Sequence, residues 1–198
     1  RAMSDEDLLA VRREHVAALA RDGIENPYRS TDDRAEIVVD IDRILRKRAN
    51  RRLADAILTR PDWSDAWPRV FRAIAIEMVD AHDGHVVNAR GALREVAYGE
   101  PRSGAPASVK DTSDAWSDRY EVLRALCETL PADADDPVVA AFRRVLEDRK
   151  EPLYSWRNAA PLGEPPVPVD PKEKQRADDR LARYFAVWED LKRVVREE

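Results

Sequence analysis

The chain has 198 residues, with 43% hydrophobic and 37% charged residues and a formal net charge of −5. This length and hydrophobic fraction allow a domain with a substantial core, whereas the net charge argues against nucleic-acid binding over the whole surface. A single cysteine excludes an internal disulfide and a zinc site of paired cysteines.

The pattern of the chain predicts an all-α fold. There are six glycines and few alternating runs of β-branched residues, so a sheet is hard to place. We expect a multi-helix bundle of six to eight helices that forms a single helical domain over residues 3–198. No segment approaches the roughly 20 apolar residues of a membrane span and no secretory signal precedes the first helix, which favours a cytoplasmic location.

The first two predicted helices lie in the N-terminal third of the chain. Ser4 is a helix-capping residue, and the apolar stripe that follows ends at Gly23. The second stripe, from Ile37 onwards, would place Arg48 and Arg52 on its apolar face if the helix were straight. We therefore predict a break near residues 49–50, giving helices over 32–48 and 51–60.

A four-residue phrase, Ser-Asp-Ala-Trp, begins at Ser64 and again at Ser113. In each case the Ser-Asp pair is typical of a helix start, and the large side chains that follow share one helix face. These side chains are Trp67, Phe71, Ile74 and Met78 in the first copy and Trp116, Tyr120, Leu123 and Cys127 in the second. We predict two similar helical hairpins, about 62–98 and 111–150, that arose by duplication or reached the same spacing independently.

The last third of the chain combines a proline-rich segment with a strongly amphipathic helix. Residues 99–112 form a Gly-, Pro- and Ser-rich loop, and residues 151–171 form a proline-rich strap across the helices. The C-terminal helix, about 171–196, either docks on the bundle, which we favour, or forms an oligomer interface. Its candidate interface residues are Leu181, Tyr184, Phe185, Trp188 and Leu191.

One segment of the chain is strongly basic. Six cations fall within ten residues without an intervening acid, and such a run could bind the phosphates of a nucleic acid. They are Arg43, Arg46, Lys47, Arg48, Arg51 and Arg52. No aromatic residue is interleaved for base stacking, and acidic residues one turn away could form exposed ion pairs instead.

A cluster of histidines and carboxylates suggests a second chemistry. His82, Asp83 and His85 are close enough in sequence to hold a divalent metal, and His15 precedes them on the first helix. The His82–Asp83 pair at a helix end resembles the metal-binding pair of HD-domain phosphohydrolases, an all-helical family. That resemblance implies a metal-dependent phosphohydrolase in which His15 supplies the upstream ligand. The alternative is a polar helix end with solvated histidines.

No other catalytic motif is present in the sequence. The chain has no phosphate-binding GxxxxGK[ST] loop, no GxGxxG turn and no GxSxG elbow, and Cys127 falls within an apolar stripe as a core residue. Our leading hypothesis is a non-enzymatic interaction protein without a cofactor: an adaptor, regulator or accessory subunit in a bacterial-type cytoplasm. It is expected to bind a protein partner or a second copy of itself, with nucleic acid as the alternative.

Overall fold

The computed structural model describes residues 3–85, 87, 91–100, 109–151 and 170–197, with the backbone alone over 109–114. In this part of the chain the fold is all-helical, with seven α-helices and a short 3₁₀ turn at Pro27–Arg29. The α-helices are α1 (Asp5–Arg21), α2 (Asp33–Leu58), α3 (Trp63–His82), α4 (Gly91–Tyr98), α5 (Val109–Thr129), α6 (Pro137–Asp148) and α7 (Pro171–Arg196). The prediction of an all-α bundle of six to eight helices is confirmed.

Several helix ends follow directly from local sequence. The Ser4 hydroxyl accepts from the Asp7 backbone N–H and the Asp7 carboxylate accepts in return from the Ser4 backbone, which is a capping box. Asp136 and Asp170 cap α6 and α7 in a similar way, each through a side-chain oxygen. Gly23, with φ of +77°, ends α1 in a left-handed conformation that favours glycine.

Helix α2 is continuous, and the predicted break near residues 49–50 is wrong. The helix keeps one axis because Arg48 and Arg52 need not be buried against an apolar surface. Both guanidiniums pair with Asp5, at 2.7 and 2.8 Å, at the first turn of the antiparallel helix α1. The apolar stripe of α2 therefore faces α1 near its start, while buried Asn50, Ala54 and Ile57 face the bundle.

The apolar stripes of α3 and α5 are confirmed; α3 begins close to its predicted start, whereas α5 begins earlier than its Ser-Asp pair predicts. Phe71 and Met78 on α3 and Leu123 on α5 are fully buried. Helix α3 begins at Trp63 with Asp62 at its N-cap position and no side-chain cap, so Ser64 falls within its first turn. Helix α5 begins at Val109, which places the second Ser-Asp pair inside the helix rather than ahead of it.

Within the described residues the core consists of one main cluster, one small cluster, and a third group made of Ala81, Val87 and Ala115. The main cluster joins the C-terminal half of α2 to α3, α4, α5, α6 and α7. The small cluster lies between α1 and the start of α2, with Leu19, Ala35 and Val38 at its centre. Helix α7 packs on α6 and α3, which confirms that the C-terminal helix docks on the bundle. The predicted strap over 151–171 and most of the loop over 99–112 lie outside the described residues.

A buried ion pair joins three helices at the centre of the bundle. The Glu77 carboxylate of α3 accepts two hydrogen bonds from the Arg119 guanidinium of α5, both at 2.8 Å. Its second oxygen accepts from the Ala92 backbone N–H at 2.7 Å, at the start of α4. Gly91 lies directly against this carboxylate, and a Cβ there would be 2.2 Å from Glu77 Oε1. A side chain at this position would therefore force the Glu77 carboxylate to move, which favours glycine at the start of α4.

Candidate functional site

The apolar stripe of α7 is divided into a buried half and an exposed half. Trp188 and Leu191 are 1% and 0% exposed, whereas Leu181 and Phe185 are 41% and 53% exposed. Tyr184 lies between the two halves and is partly buried against the main cluster. Of the five predicted interface residues, the structure therefore leaves Leu181 and Phe185 open to solvent. We call this pair the α7 surface.

An aromatic cluster holds the buried half of α7 against the end of α3. The His82 imidazole stacks on the Trp188 indole with ring centroids 4.4 Å apart and planes 9° from parallel. Trp116 of α5 lies against the same indole at 6.1 Å, and the Tyr184 hydroxyl is 3.5 Å from His82 Nε2. The indole N–H groups of Trp116 and Trp188 are buried without an acceptor among the described residues, so ring packing holds this contact together.

A buried arginine fixes the start of α7 on the end of α6. The Arg180 guanidinium, on a residue that is 3% exposed, donates to both carboxylate oxygens of Asp148 at 2.8 and 2.9 Å. It also donates to the backbone carbonyls of Asp148 and Glu151. Because Arg180 immediately precedes Leu181, this network holds the α7 surface on a fixed helix.

The basic segment is exposed in part, and most of its charge is paired. Arg43 pairs with Asp40, Arg51 with Asp55, Arg46 with Asp118, and Arg48 and Arg52 share Asp5. Lys47 is exposed, and no ion pair of its ammonium is found in the described part of the chain. The two arginines that donate to Asp5 lower the pKa of its carboxyl. These pairs reduce the positive potential that a phosphate backbone would meet.

Of the predicted metal ligands, His82 and Asp83 are in contact, with His82 Nδ1 3.5 Å from an Asp83 carboxylate oxygen. His82 is stacked in the aromatic cluster, His85 is exposed beyond the end of α3, and His15 lies on α1. Asp83 accepts from Lys192 at 2.9 Å and from Arg196 at 3.1 Å. Burial alone would raise the pKa of the Asp83 carboxyl, but the hydrogen bonds from Lys192 and His82 lower it overall.

No metal centre is formed by the predicted histidines. Within the described residues there is no group of three or more His, Cys, Asp or Glu side chains placed to hold a metal ion. The resemblance to the metal pair of HD-domain phosphohydrolases therefore gains no support from the geometry. Asp83 instead fastens the end of α3 to the last turns of α7 through two cations.

Two structural features near these sites had no clear signal in the sequence. The Glu77–Arg119 pair joins residues 42 positions apart, and Arg180–Asp148 joins residues 32 positions apart. A charge on the buried face of an amphipathic helix is the one local signal available. Arg180 satisfies it, since it lies one turn before the partly buried Tyr184 on the face that packs on α6.

Comparison with known proteins provides no relative for this chain. No protein-family model, no curated protein and no solved structure matches it. Among the helices that the structure describes, none has the length and apolar character needed to cross a membrane.

Proposed function

We propose that this protein is a non-enzymatic helical interaction protein that acts as an adaptor, regulator or accessory subunit of a larger complex. The observation that carries the proposal is the exposure of Leu181 and Phe185, at 41% and 53%, on a helix that is otherwise fixed to the bundle. An aromatic side chain on a rigid helix can bind a partner with little loss of conformational entropy.

The surroundings of the α7 surface favour a protein partner with apolar side chains. Phe185 packs edge-on against Tyr184, with ring centroids 5.7 Å apart, which orients its ring. Arg183 on the neighbouring face pairs with Glu151 at 2.6 Å, so a charged rim flanks the apolar pair. An apolar centre with a polar rim is the usual arrangement of a protein interface.

The proposal is tested by capture from native lysate, with nuclease present, using wild type and three single variants. Phe185→Ser and Leu181→Ser change the α7 surface, and Ile76→Ser is the matched control because Ile76 is 38% exposed on α3. We expect a defined protein that is retained by wild type and Ile76→Ser and lost from both α7 variants. Equal capture by all four proteins, or no capture, would contradict the proposal.

Binding of nucleic acid through the basic segment has weaker support, because all five of its arginines have acidic partners. The distinguishing measurement is the affinity for DNA or RNA as a function of salt, comparing wild type with Lys47→Glu. A steep fall with salt, together with loss in the variant, would favour this alternative over the α7 surface.

A further inference from the structure

A groove of about 630 Å³ lies between the C-terminal halves of α5 and α6. Its floor contains the buried side chains of Tyr120 and Cys127 and the partly buried Leu146. Its rim is formed by the charged residues Arg124, Glu128, Arg143, Glu147, Arg149 and Lys150. The volume lies in the range of small-molecule pockets, and the floor is apolar.

Arg149 has an unusual environment at one end of this groove. Its guanidinium lies over the rings of Tyr120 and Trp116, 4.5 and 4.8 Å from their centroids. The two rings are themselves stacked, with centroids 5.6 Å apart. Within the described residues this guanidinium has no hydrogen bond or ion pair, so cation–π contacts hold it while its N–H donors stay available.

The other cations of the groove differ in their partners: some pair with carboxylates, and one bonds to backbone carbonyls. Arg124 pairs with Glu121 at 2.8 Å and lies 3.9 Å from Glu128, and Lys150 pairs with Glu147 at 2.5 Å. Arg143 instead donates to three backbone carbonyls at the end of α5, those of Leu130, Pro131 and Ala132. The carboxylates of the rim are therefore already engaged by Arg124 and Lys150.

Among the described residues, the guanidiniums of Arg143 and Arg149 therefore line the groove without a carboxylate partner. Their contacts in this part of the chain are to neutral groups. The C-termini of α5 and α6 oppose them with about half a negative charge each. This is smaller than the full charge of each guanidinium, so the groove keeps a positive potential above an apolar floor.

We infer that this groove binds a small organic anion: a phosphate or carboxylate attached to an apolar body of about the size of one aromatic ring. The anionic group would accept hydrogen bonds from Arg149, with Arg143 adding charge, because a planar guanidinium pairs well with both kinds of oxyanion. The apolar body would lie on Leu146 and Tyr120. The stack on Trp116 and Tyr120 holds Arg149 in place before the ligand arrives.

The inference is tested by calorimetry and ligand-observed NMR on the full chain. The probes are phenyl phosphate, benzoate, inorganic phosphate and benzyl alcohol, each titrated to about 10 mM because one-ring ligands bind weakly. We expect at least one aryl anion to bind, more tightly than inorganic phosphate and benzyl alcohol, and less tightly as NaCl rises. The stronger of the two aryl probes identifies the preferred anionic group.

Variants separate this groove from other cations on the surface. Arg149→Met keeps the length and the apolar stem, and we expect it to weaken binding about tenfold or more. Arg13→Met, an equal change of charge on exposed Arg13 of α1, is expected to bind like wild type. Unchanged affinity in Arg149→Met, or no binding of either aryl anion to wild type, would overturn the inference. Matching melting curves for the variants exclude misfolding as the cause, and neither result depends on the α7 surface.

Discussion

At the scale of single residues, Glu77 connects three helices in the centre of the bundle. Its carboxylate neutralises Arg119, which is 3% exposed, and caps the start of α4 through the Ala92 N–H. Removing one partner of such a pair costs more than the pair itself contributes, because the remaining charge stays buried without compensation.

Glu77→Gln should lower the free energy of unfolding by about 3 kcal/mol. The amide can still accept from Ala92, so the loss comes mainly from the uncompensated charge of Arg119. Urea unfolding followed by circular dichroism measures the change. Glu14→Gln, at an exposed position of α1, is the control and should remain within about 0.5 kcal/mol of wild type. Similar stabilities for the two variants would contradict this role of Glu77.

Gly91→Ala should destabilise the protein by about 1–3 kcal/mol, because the new Cβ meets a carboxylate that is fixed on both oxygens. The clash distance is 2.2 Å to Glu77 Oε1. In a Glu77→Ala background the same glycine substitution should cost less than about 0.5 kcal/mol, since the obstructing carboxylate is gone. Equal costs in the two backgrounds would show that the backbone at Gly91, rather than Glu77, sets the requirement.

The ionisation of Asp32 makes the stability of the folded protein depend on pH. Hydrogen bonds from the Arg34 side chain and backbone lower the pKa of its carboxyl from 3.8 to about 2. Because the folded protein favours the ionised form, this contribution to stability is complete above about pH 4 and is lost as the pH falls towards 2. Asp32→Asn should therefore show a smaller loss of stability than wild type across that interval in acid titrations of unfolding. Asp33→Asn is the control at the adjacent position. If its stability falls as little as that of Asp32→Asn over the same pH interval, Asp32 has no specific role.

At the scale of helices, one stripe of α7 combines buried and exposed apolar side chains. Trp188→Ala should cost about 3–5 kcal/mol of unfolding free energy, since the indole is 1% exposed in the main cluster. Phe185→Ala, less than one turn away, should change stability by less than about 0.5 kcal/mol. Thermal or urea unfolding of the pair makes the comparison. A large loss in Phe185→Ala would mean that the α7 surface is part of the core and is not available to a partner.

Helix α1 is held on α2 more by ion pairs than by apolar packing. Its apolar contact with α2 is the small cluster around Leu19, whereas charged contacts extend along the whole helix. Asp5 pairs with Arg48 and Arg52 at one end, and Arg12 pairs with Asp42 at 2.6 Å near the middle. Ion pairs at a protein surface are weakened by salt.

Hydrogen exchange should show this difference between the helices. In Asp5→Asn, or in about 1 M NaCl, we expect the amides of α1 to exchange about two- to fivefold faster while those of α5 are unchanged. Glu6→Gln, an exposed change on the same turn, is the control at low salt. Uniform acceleration of α1 and α5 would instead indicate that the two helices open together.

At the scale of the whole molecule, the sequence predicts the elements better than it predicts their contacts. The apolar stripe located the C-terminal helix closely, at about 171–196 against Pro171–Arg196, because that signal is local. The break in α2 was predicted wrongly because Asp5, which pairs with Arg48, lies 43 positions away. Arg149 was missed for a similar reason, since its aromatic partners belong to another helix. Side-chain partners that are distant in sequence leave no periodic trace.

The continuity of α2 has a mechanical consequence. The helix has 26 residues and is therefore about 39 Å long. One half is fixed in the main core, and the other carries α1 on the small cluster. The half that carries α1 is an arm of about 20 Å, so a tilt of about 10° at its base would move the tip by about 3.5 Å. A tilt that is too small to disturb the core would thus shift the far end of α2 by about the length of a hydrogen bond.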